Sequence, residues 1–353
     1  MEISIRVPPC RPIRELVAFA QRLEDIGIDR VSFPDSQLLW RDVWSTVSAA
    51  ALSTERIGLA VMVTNPVTRH PTVTASAARS IAELAPGRFL LGVGAGDSAV
   101  THIGAPSART RALDETVRTV RTLLAGGEVA HDVHPWRLHD PVAVPVLVGA
   151  SGPRNLSLAG RVADGALIPS VAWTDAVGMV RDAAKAAGRD PDSLIYSAMR
   201  PCVVTDDPER DAAVFKPVCL RVAQLGGAQM FAAAGVPVDV PAHDLSLGDL
   251  GHPEDWDEAV KISSRWIPDE AALWYARNRA VFGTVEEVVA QLQDLDRMGV
   301  HNVLLSHPGA FTLPTDLVDA LEDAILPRLR RQSVGRAPHD GQSVPTVARP
   351  RDE

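Results

Sequence analysis

Lysine is almost absent from this chain: Lys185, Lys216 and Lys261 are the only ones among 35 basic residues, and the rest are arginine. The bias is compositional, as in a GC-rich genome, and points to no activity by itself. Positive charge is also short overall, with a formal net charge of −9 and a pI near 5.6. That balance removes the basic field that nucleic acid or anionic lipid requires, so neither is expected as a partner. Cysteine is scarce too. Cys10, Cys202 and Cys219 are too few and too scattered for a disulfide framework or a zinc site, and read as reduced thiols. His102, His131, His134 and His139 lack metal-ligand spacing, so no metal is expected. No apolar run approaches the length that spans a bilayer, and MEISIRVPP lacks the basic start and apolar run of a leader. The expectation is a cytoplasmic enzyme acting on a small molecule.

Apolar residues are plentiful. At 46% of 353 residues they supply one large core, and they are arranged in alternating short β-rich runs and longer helical patterns. ISIRV, DRVSFPDS, IGLAVMVTN, RFLLGVGAG, PVLVGAS, DGALIPS, SLIYSAMRPCVV and HNVLLSHPG read as eight strands in order. IGLAVMVTN is nearly continuous in apolar character, as a strand covered on both faces should be. Helices are expected between them, one starting near Pro71 and ending before Pro86-Gly87. The pattern predicts an α/β fold, a (β/α)8 TIM barrel over residues 1–330, with an open doubly wound sheet as the alternative. A largely helical insertion at 208–282 falls between strands seven and eight. Residues 331–353 lack apolar periodicity and read as a disordered tail.

Strand four runs into FLLGVGAGDSAV (Phe89–Val100). A dinucleotide fingerprint needs G-x-G-x-x-G, but Gly92, Gly94 and Gly96 form G-x-G-x-G, and Asp97 stands where the third glycine belongs. Asp114 and Glu115, the acids that should end the next strand, fall inside a predicted helix. A Rossmann site is therefore disfavoured, leaving glycines that let a strand bend and a helix pack closely, or a different kind of ligand wall. Other strand ends carry polar or backbone-exposing residues as well: Phe33-Pro34-Asp35-Ser36, Val63-Thr64-Asn65-Pro66, Ala95-Gly96-Asp97-Ser98 and Gly149-Ala150-Ser151-Gly152-Pro153. In a barrel these ends meet on one face, where active sites are built.

Two runs, TNPVTRHPTVTASAARSIAELAPGRFLLGVGAGDSAV and PVLVGASGPRNLSLAGRVADGALI, resemble the bacterial luciferase-like superfamily of flavin- or deazaflavin-dependent oxidoreductases. Within it the chain is most similar to coenzyme F-420-dependent reductases of the methylenetetrahydromethanopterin reductase type. The resemblance covers about residues 1–205 well and 283–330 moderately. It implies a barrel whose insertion partly covers the mouth, a deazaflavin cofactor (FMN as the alternative) over the strand ends, and a homodimer. It also implies a bulge at the end of strand three, often with a non-prolyl cis peptide, behind the ring. The matching residues are Met62 and Val63, with Thr64 and Asn65 alongside; relatives carry glycine or serine where Met62 stands. Asp35 matches an acid near the ring, and Ala95, Gly96 and Asp97 match the segment passing it. Gly149, Ala150, Ser151, Gly152 and Pro153 match the phosphate-proximal loop. There the residues agree independently, because free amides at the helix start near Pro153 suit an anion.

The implied chemistry is hydride transfer between the reduced deazaflavin and a small organic substrate, with FMN-dependent monooxygenation or non-catalytic flavin binding as rivals. Asp35 and Asp97 are the candidates for orienting groups or proton carriers, although an aspartate just after a strand serves equally well as a helix N-cap. Trp40 and Trp44 are placed to wall the substrate pocket, with core packing as the competing role. His70 is expected to cap or pack near the third helix. Relatives that oxidise a sugar phosphate have a histidine after the strand-two aspartate; Ser36 stands here.

Overall fold

Nine strands form in the computed structural model, which describes residues 1–169, 173–241 and 249–333. They are β1 (Glu2–Arg6), β2 (Arg30–Phe33), β3 (Gly58–Thr64), β4 (Phe89–Val93), β5 (Val146–Gly149), β6 (Gly165–Ile168), β7 (Ile195–Val204), β8 (Val281–Gly283) and β9 (Asn302–Ser306). Their order is β6-β5-β4-β3-β2-β1-β9-β7-β8, and β6 also pairs with β7. Eight strands therefore close on themselves, and β8 is an extra. The result is a TIM barrel.

Seven of the expected strands are β1 to β7, and the expected eighth, HNVLLSHPG, is β9, the eighth strand of the ring. Only β8 was not expected. It is three residues long at the border of the insertion, too short for any alternation to show.

The chain divides into two units. The first, Met1–Met199 with Met298–Leu304, holds the ring of parallel strands and the helices of its first six repeats. The helix Pro71–Leu84 begins with its proline in the first turn, and the His70 Nδ1 accepts from the Thr72 amide, as expected. The helix Val43–Ser53 is capped by Asp42, whose carboxylate accepts from the Ser45 amide at 2.8 Å.

Within this ring the inner wall has two characters. Ala60, Met62, Leu90, Leu147, Leu167, Ile195 and Leu304 form one buried cluster. Residues from six different strands can meet this way only in the barrel interior. On β1 and β2 the inward positions are polar. Near the N-terminal ends, Arg30 donates to the Arg88 carbonyl at 3.0 Å and pairs with Glu2 at 3.2 Å. In the same row, where Ser4 is in register with Arg30, Asn302 at the start of β9 donates to the Ser4 hydroxyl and accepts from that of Ser197.

The second unit, Arg200–Arg297 with residues 305–333, has its own core. Phe215, Phe231, Tyr275 and Phe282 are buried together, and the Phe215 ring meets Phe282 edge-on at 5.5 Å. β8 pairs with Cys202–Val204 at the end of β7. Its helices include Lys216–Val222, Trp256–Ser263 and Asp269–Arg279, in line with an insertion that is mostly helical.

The last helix, Leu326–Ser333, takes in the first residues of the expected disordered tail; the rest of that tail lies outside the described residues. No helix among the described residues is long and apolar enough to cross a membrane.

Candidate active site

The C-terminal ends of β2 to β5 bring most of the expected residues together. β3 is where the regular ladder fails. Val61 pairs with Leu91, but the next pairing is Thr64 with Val93, so β3 spends one residue more than β4 over the same stretch. The extra length falls at Met62-Val63, whose peptide bond is cis. The bulge buries Met62 within the barrel cluster and leaves Val63 half-buried.

The glycines of β4 and β5 exist because of this bulge. A Cβ on Gly94 would come within 2.8 Å of Val63 Cγ2, one on Gly92 within 2.7 Å of Met62 Sδ, and one on Gly149 within 3.0 Å of Val63 Cγ1. These three glycines make room for the side chains of Met62 and Val63. Gly96 differs: its φ of +91° lies in the left-handed region that favours glycine. Close packing is thus the local reason for the glycine run. Together the three also make a wall.

Polar groups border this wall on the β2–β3 side. Asp35 follows β2 and is buried, and its Oδ2 accepts from the Thr64 hydroxyl at 2.7 Å. The Arg69 Nε lies 3.8 Å from the same oxygen, while its Nη2 reaches Asp42 at 2.6 Å. Burial raises the Asp35 pKa, opposed by the Thr64 hydrogen bond and by Arg69. Asp35 caps no helix, and among the described residues no hydrogen bond reaches its Oδ1. Asn65 shapes the turn after β3, its Oδ1 accepting from the amides of Val67 at 3.0 Å and Thr68 at 2.9 Å. Its Nδ2 is buried without a partner among the described residues, as is the Ser36 hydroxyl. Unsatisfied buried donors of this kind are uncommon and mark places where a ligand can complete the bonding.

The segment after β4 is fixed by its own loop. Ser107 donates to the Gly96 carbonyl at 2.7 Å, and the Ala108 amide to Ala95 at 2.8 Å. Ala95 and Gly96 are half-buried and Asp97 is exposed. Asp97 sits at the N-cap of the short helix Ser98–Thr101, but its carboxylate does not cap that helix. Ala150 is buried, whereas Ser151, Gly152 and Pro153 are exposed at the start of the helix Pro153–Val162. No side chain caps that helix start, and a Cβ on Gly152 would meet nothing within 4 Å. Arg154 is also exposed there.

Trp40 and Trp44 are both buried. Trp40 lies under the Arg6 guanidinium, 5.3 Å from its ring centroid, and Trp44 lies under Arg69 at 5.8 Å. The Trp44 Nε1 is buried and has no partner among the described residues. Two arginines were not singled out from the sequence. Arg69 was visible in TRHP, one residue before the capping histidine. Arg6 was visible as a cation at an inward position of ISIRV. Among the described residues no cluster of His, Cys, Asp and Glu is suited to a metal.

A glycine-bordered wall that presents no side chains of its own, a buried carboxylate and unpaired donors fit a planar, polar-edged ring such as a flavin or deazaflavin. Comparison with known proteins points the same way. Residues 1–302 match the model of the luciferase-like monooxygenase family. A 5,10-methylenetetrahydromethanopterin reductase from Methanolobus tindarius is 34% identical over 326 residues, covering 87% of this chain and 94% of that protein. An F-420-dependent hydroxymycolic acid dehydrogenase from Mycobacterium tuberculosis is 35% identical over 214 residues, covering 54% of this chain and 59% of that one. Among solved structures, the coenzyme F-420-dependent tetrahydromethanopterin reductase of Methanopyrus kandleri matches with a TM-score of 0.70 at 21% identity, over 93% of this chain and 99% of that one. At that identity the last match speaks for the fold.

Proposed function

The chain belongs to the luciferase-like monooxygenase family, and on that footing we propose that it is a coenzyme F-420-dependent oxidoreductase acting on a small organic substrate. One observation carries the reading from within the molecule: the bulged Met62-Val63 segment lies flush against Gly94 and Gly149, beside the unpaired amide of Asn65. The similarity to an F-420-dependent relative names the cofactor.

In this reading Val63, Gly94 and Gly149 form the wall for the ring, and Asn65, Ala95 and Gly96 line its edge. The amides of Gly152 and its neighbours, at an uncapped helix N-terminus, suit the anionic tail. When bound, the deazaflavin supplies two-electron, hydride-type redox chemistry. The protein contributes position and exclusion of water, and one group able to hold a proton. That group is Asp35. Burial favours its neutral form, Thr64 and Arg69 hold Oδ2, and Oδ1 remains for the proton. Asp97 is exposed, and we assign it to orienting polar parts of the cofactor. The enzyme is then a cytoplasmic homodimer, and light scattering tests the oligomer.

The deciding experiment is a titration of the purified protein with F-420 and with FMN, read by fluorescence. Micromolar F-420 binding, with FMN weaker by about tenfold or more, is the expected result. The reverse preference overturns it in favour of a flavin-dependent monooxygenase, and binding of neither overturns the cofactor assignment altogether.

A further inference from the structure

The barrel handles its part-buried arginines in two ways. Arg30 occupies an inward position of β2 and is bonded at both ends of its fork, to the Arg88 carbonyl and to Glu2. Gly58 leaves space for it, since a Cβ there would lie 2.7 Å from Arg30 Nη1. Arg88 donates to the carbonyls of Ile57 and Thr54 at 2.9 Å and 3.0 Å, and Arg121 forks onto Asp164. Each of these guanidinium groups ties one structural element to another.

Arg6 does not. It ends β1, in register with Ser32 of β2, which is in register with Ala60 and through it with Leu90. Ala60 and Leu90 belong to the interior cluster, so Arg6 and Ser32 share its face of the sheet. As the last residue of its strand, Arg6 lies at the end of the barrel where the other candidate residues gather. Its guanidinium stacks over Trp40 at 5.3 Å, and among the described residues no hydrogen bond or ion pair reaches it. Burial lowers its pKa to about 10, which leaves it charged at neutral pH. The hydroxyl of Ser32, its register partner, is buried and likewise without a partner among the described residues.

A half-buried cation without a counter-ion is costly, and a planar fork held flat on an indole is already ordered for bidentate contact with an oxyanion. We propose that Arg6, assisted by Ser32, binds a carboxylate or phosphate group of the substrate, so that this enzyme acts on an oxyanion-bearing small molecule. The assignment of that anion to the redox substrate rests on the oxidoreductase reading; the binding of an anion at Arg6 does not.

Calorimetric titration of benzoate and, separately, of inorganic phosphate tests this, on protein with and without F-420, for the wild type and for Arg6→Met, Arg6→Gln and Arg6→Lys. The expected result is wild-type binding of at least one anion, weakened about tenfold or more by Arg6→Met and Arg6→Gln, with F-420 affinity held within about twofold. Arg6→Lys should fall between, because it keeps the charge without the fork. Stronger binding of benzoate or of phosphate identifies the group.

Anion affinity that is equal in the wild type and in both neutral variants overturns the proposal, as does failure of both anions to bind the wild type. Displacement of the anion by F-420 assigns the site to the cofactor and overturns the substrate claim. Absence of F-420 binding to the wild type overturns the cofactor reading instead, and the titrations without cofactor still decide the role of Arg6.

Discussion

The inner wall of the barrel is apolar along β3 to β6 and polar along β1 and β2. On the first side, atoms are packed until glycine is the only residue that fits: Gly92 and Gly94 lie against Met62 and Val63. On the second, guanidinium, hydroxyl and amide groups line positions that a barrel of this kind usually fills with Val, Ile and Leu. Polarity alone does not mark function, because Arg30 is bonded within the protein while Arg6 is not. What separates the two is whether other elements hold the fork: both Nη atoms of Arg30 are bonded, although its Nε is buried without a partner among the described residues, whereas no hydrogen bond or ion pair reaches the Arg6 guanidinium there.

The largest effect should come from removing the guanidinium whose fork is held at both Nη atoms. Arg30→Met removes the Glu2 ion pair and the bond to the Arg88 carbonyl, leaves the half-buried Glu2 carboxylate without its counter-ion, and should cost about 3 kcal/mol in urea unfolding. Arg6→Met removes only a cation stacked on an indole, and should cost about 1 kcal/mol or less. Equal losses would erase the distinction between the two arginines.

On the apolar side, Gly94→Ala should cost about 2 kcal/mol, because its Cβ would press on Val63 Cγ2 at 2.8 Å. Val63→Ala should relieve it, giving a coupling energy of about 1 kcal/mol or more in a double-mutant cycle. The F-420 titration should weaken in Gly94→Ala and partly recover in the double variant. Additive losses would mean that the wall is not packed as described.

Much of this division was legible in the sequence, for physical reasons that differ by residue. The ring of strands showed itself because each buried strand is a short apolar run between turn residues, and only β8, three residues long, had no pattern to show. The bulge at Met62-Val63 was reachable only through family resemblance, since the continuous apolar run Val61-Met62-Val63 has no alternation whose break could mark it. The glycine run was read as a place for bending, close packing or a ligand wall, but the partner that demands it, Val63, lies on another strand and no local rule could name it. Arg6 was hidden differently. Its inward position follows from strand alternation, but its lack of a partner is a property of the whole barrel.

A smaller effect separates Asp35 from the surface acids. Because burial raises its pKa above the ordinary 3.8, the folded protein holds the Asp35 proton more tightly than the unfolded chain. That contribution to stability is fully present below 3.8 and is lost as the pH rises through the raised value. Asp35→Asn still accepts from Thr64 but cannot titrate. Its stability should therefore gain on that of the wild type as the pH rises through this window, while turnover falls about tenfold or more. A stability difference that stays constant with pH would mean that Asp35 is solvated like an ordinary surface carboxylate.

The smallest effect is expected at Gly152, and it sharpens the comparison because the residue type is the same as at Gly94. Gly152 caps no contact: a Cβ would meet nothing within 4 Å, and its φ of −98° suits any residue. Gly152→Ala should therefore change stability by no more than about 0.5 kcal/mol and leave F-420 binding intact. Gly152→Asp should be equally harmless to folding, since an aspartate at this N-cap can satisfy free amides of the helix Pro153–Val162. The same carboxylate would occupy the amides that an anionic cofactor tail needs and repel its charge. F-420 affinity should then fall about tenfold while the melting temperature holds, and unchanged affinity would remove this helix start from the cofactor site.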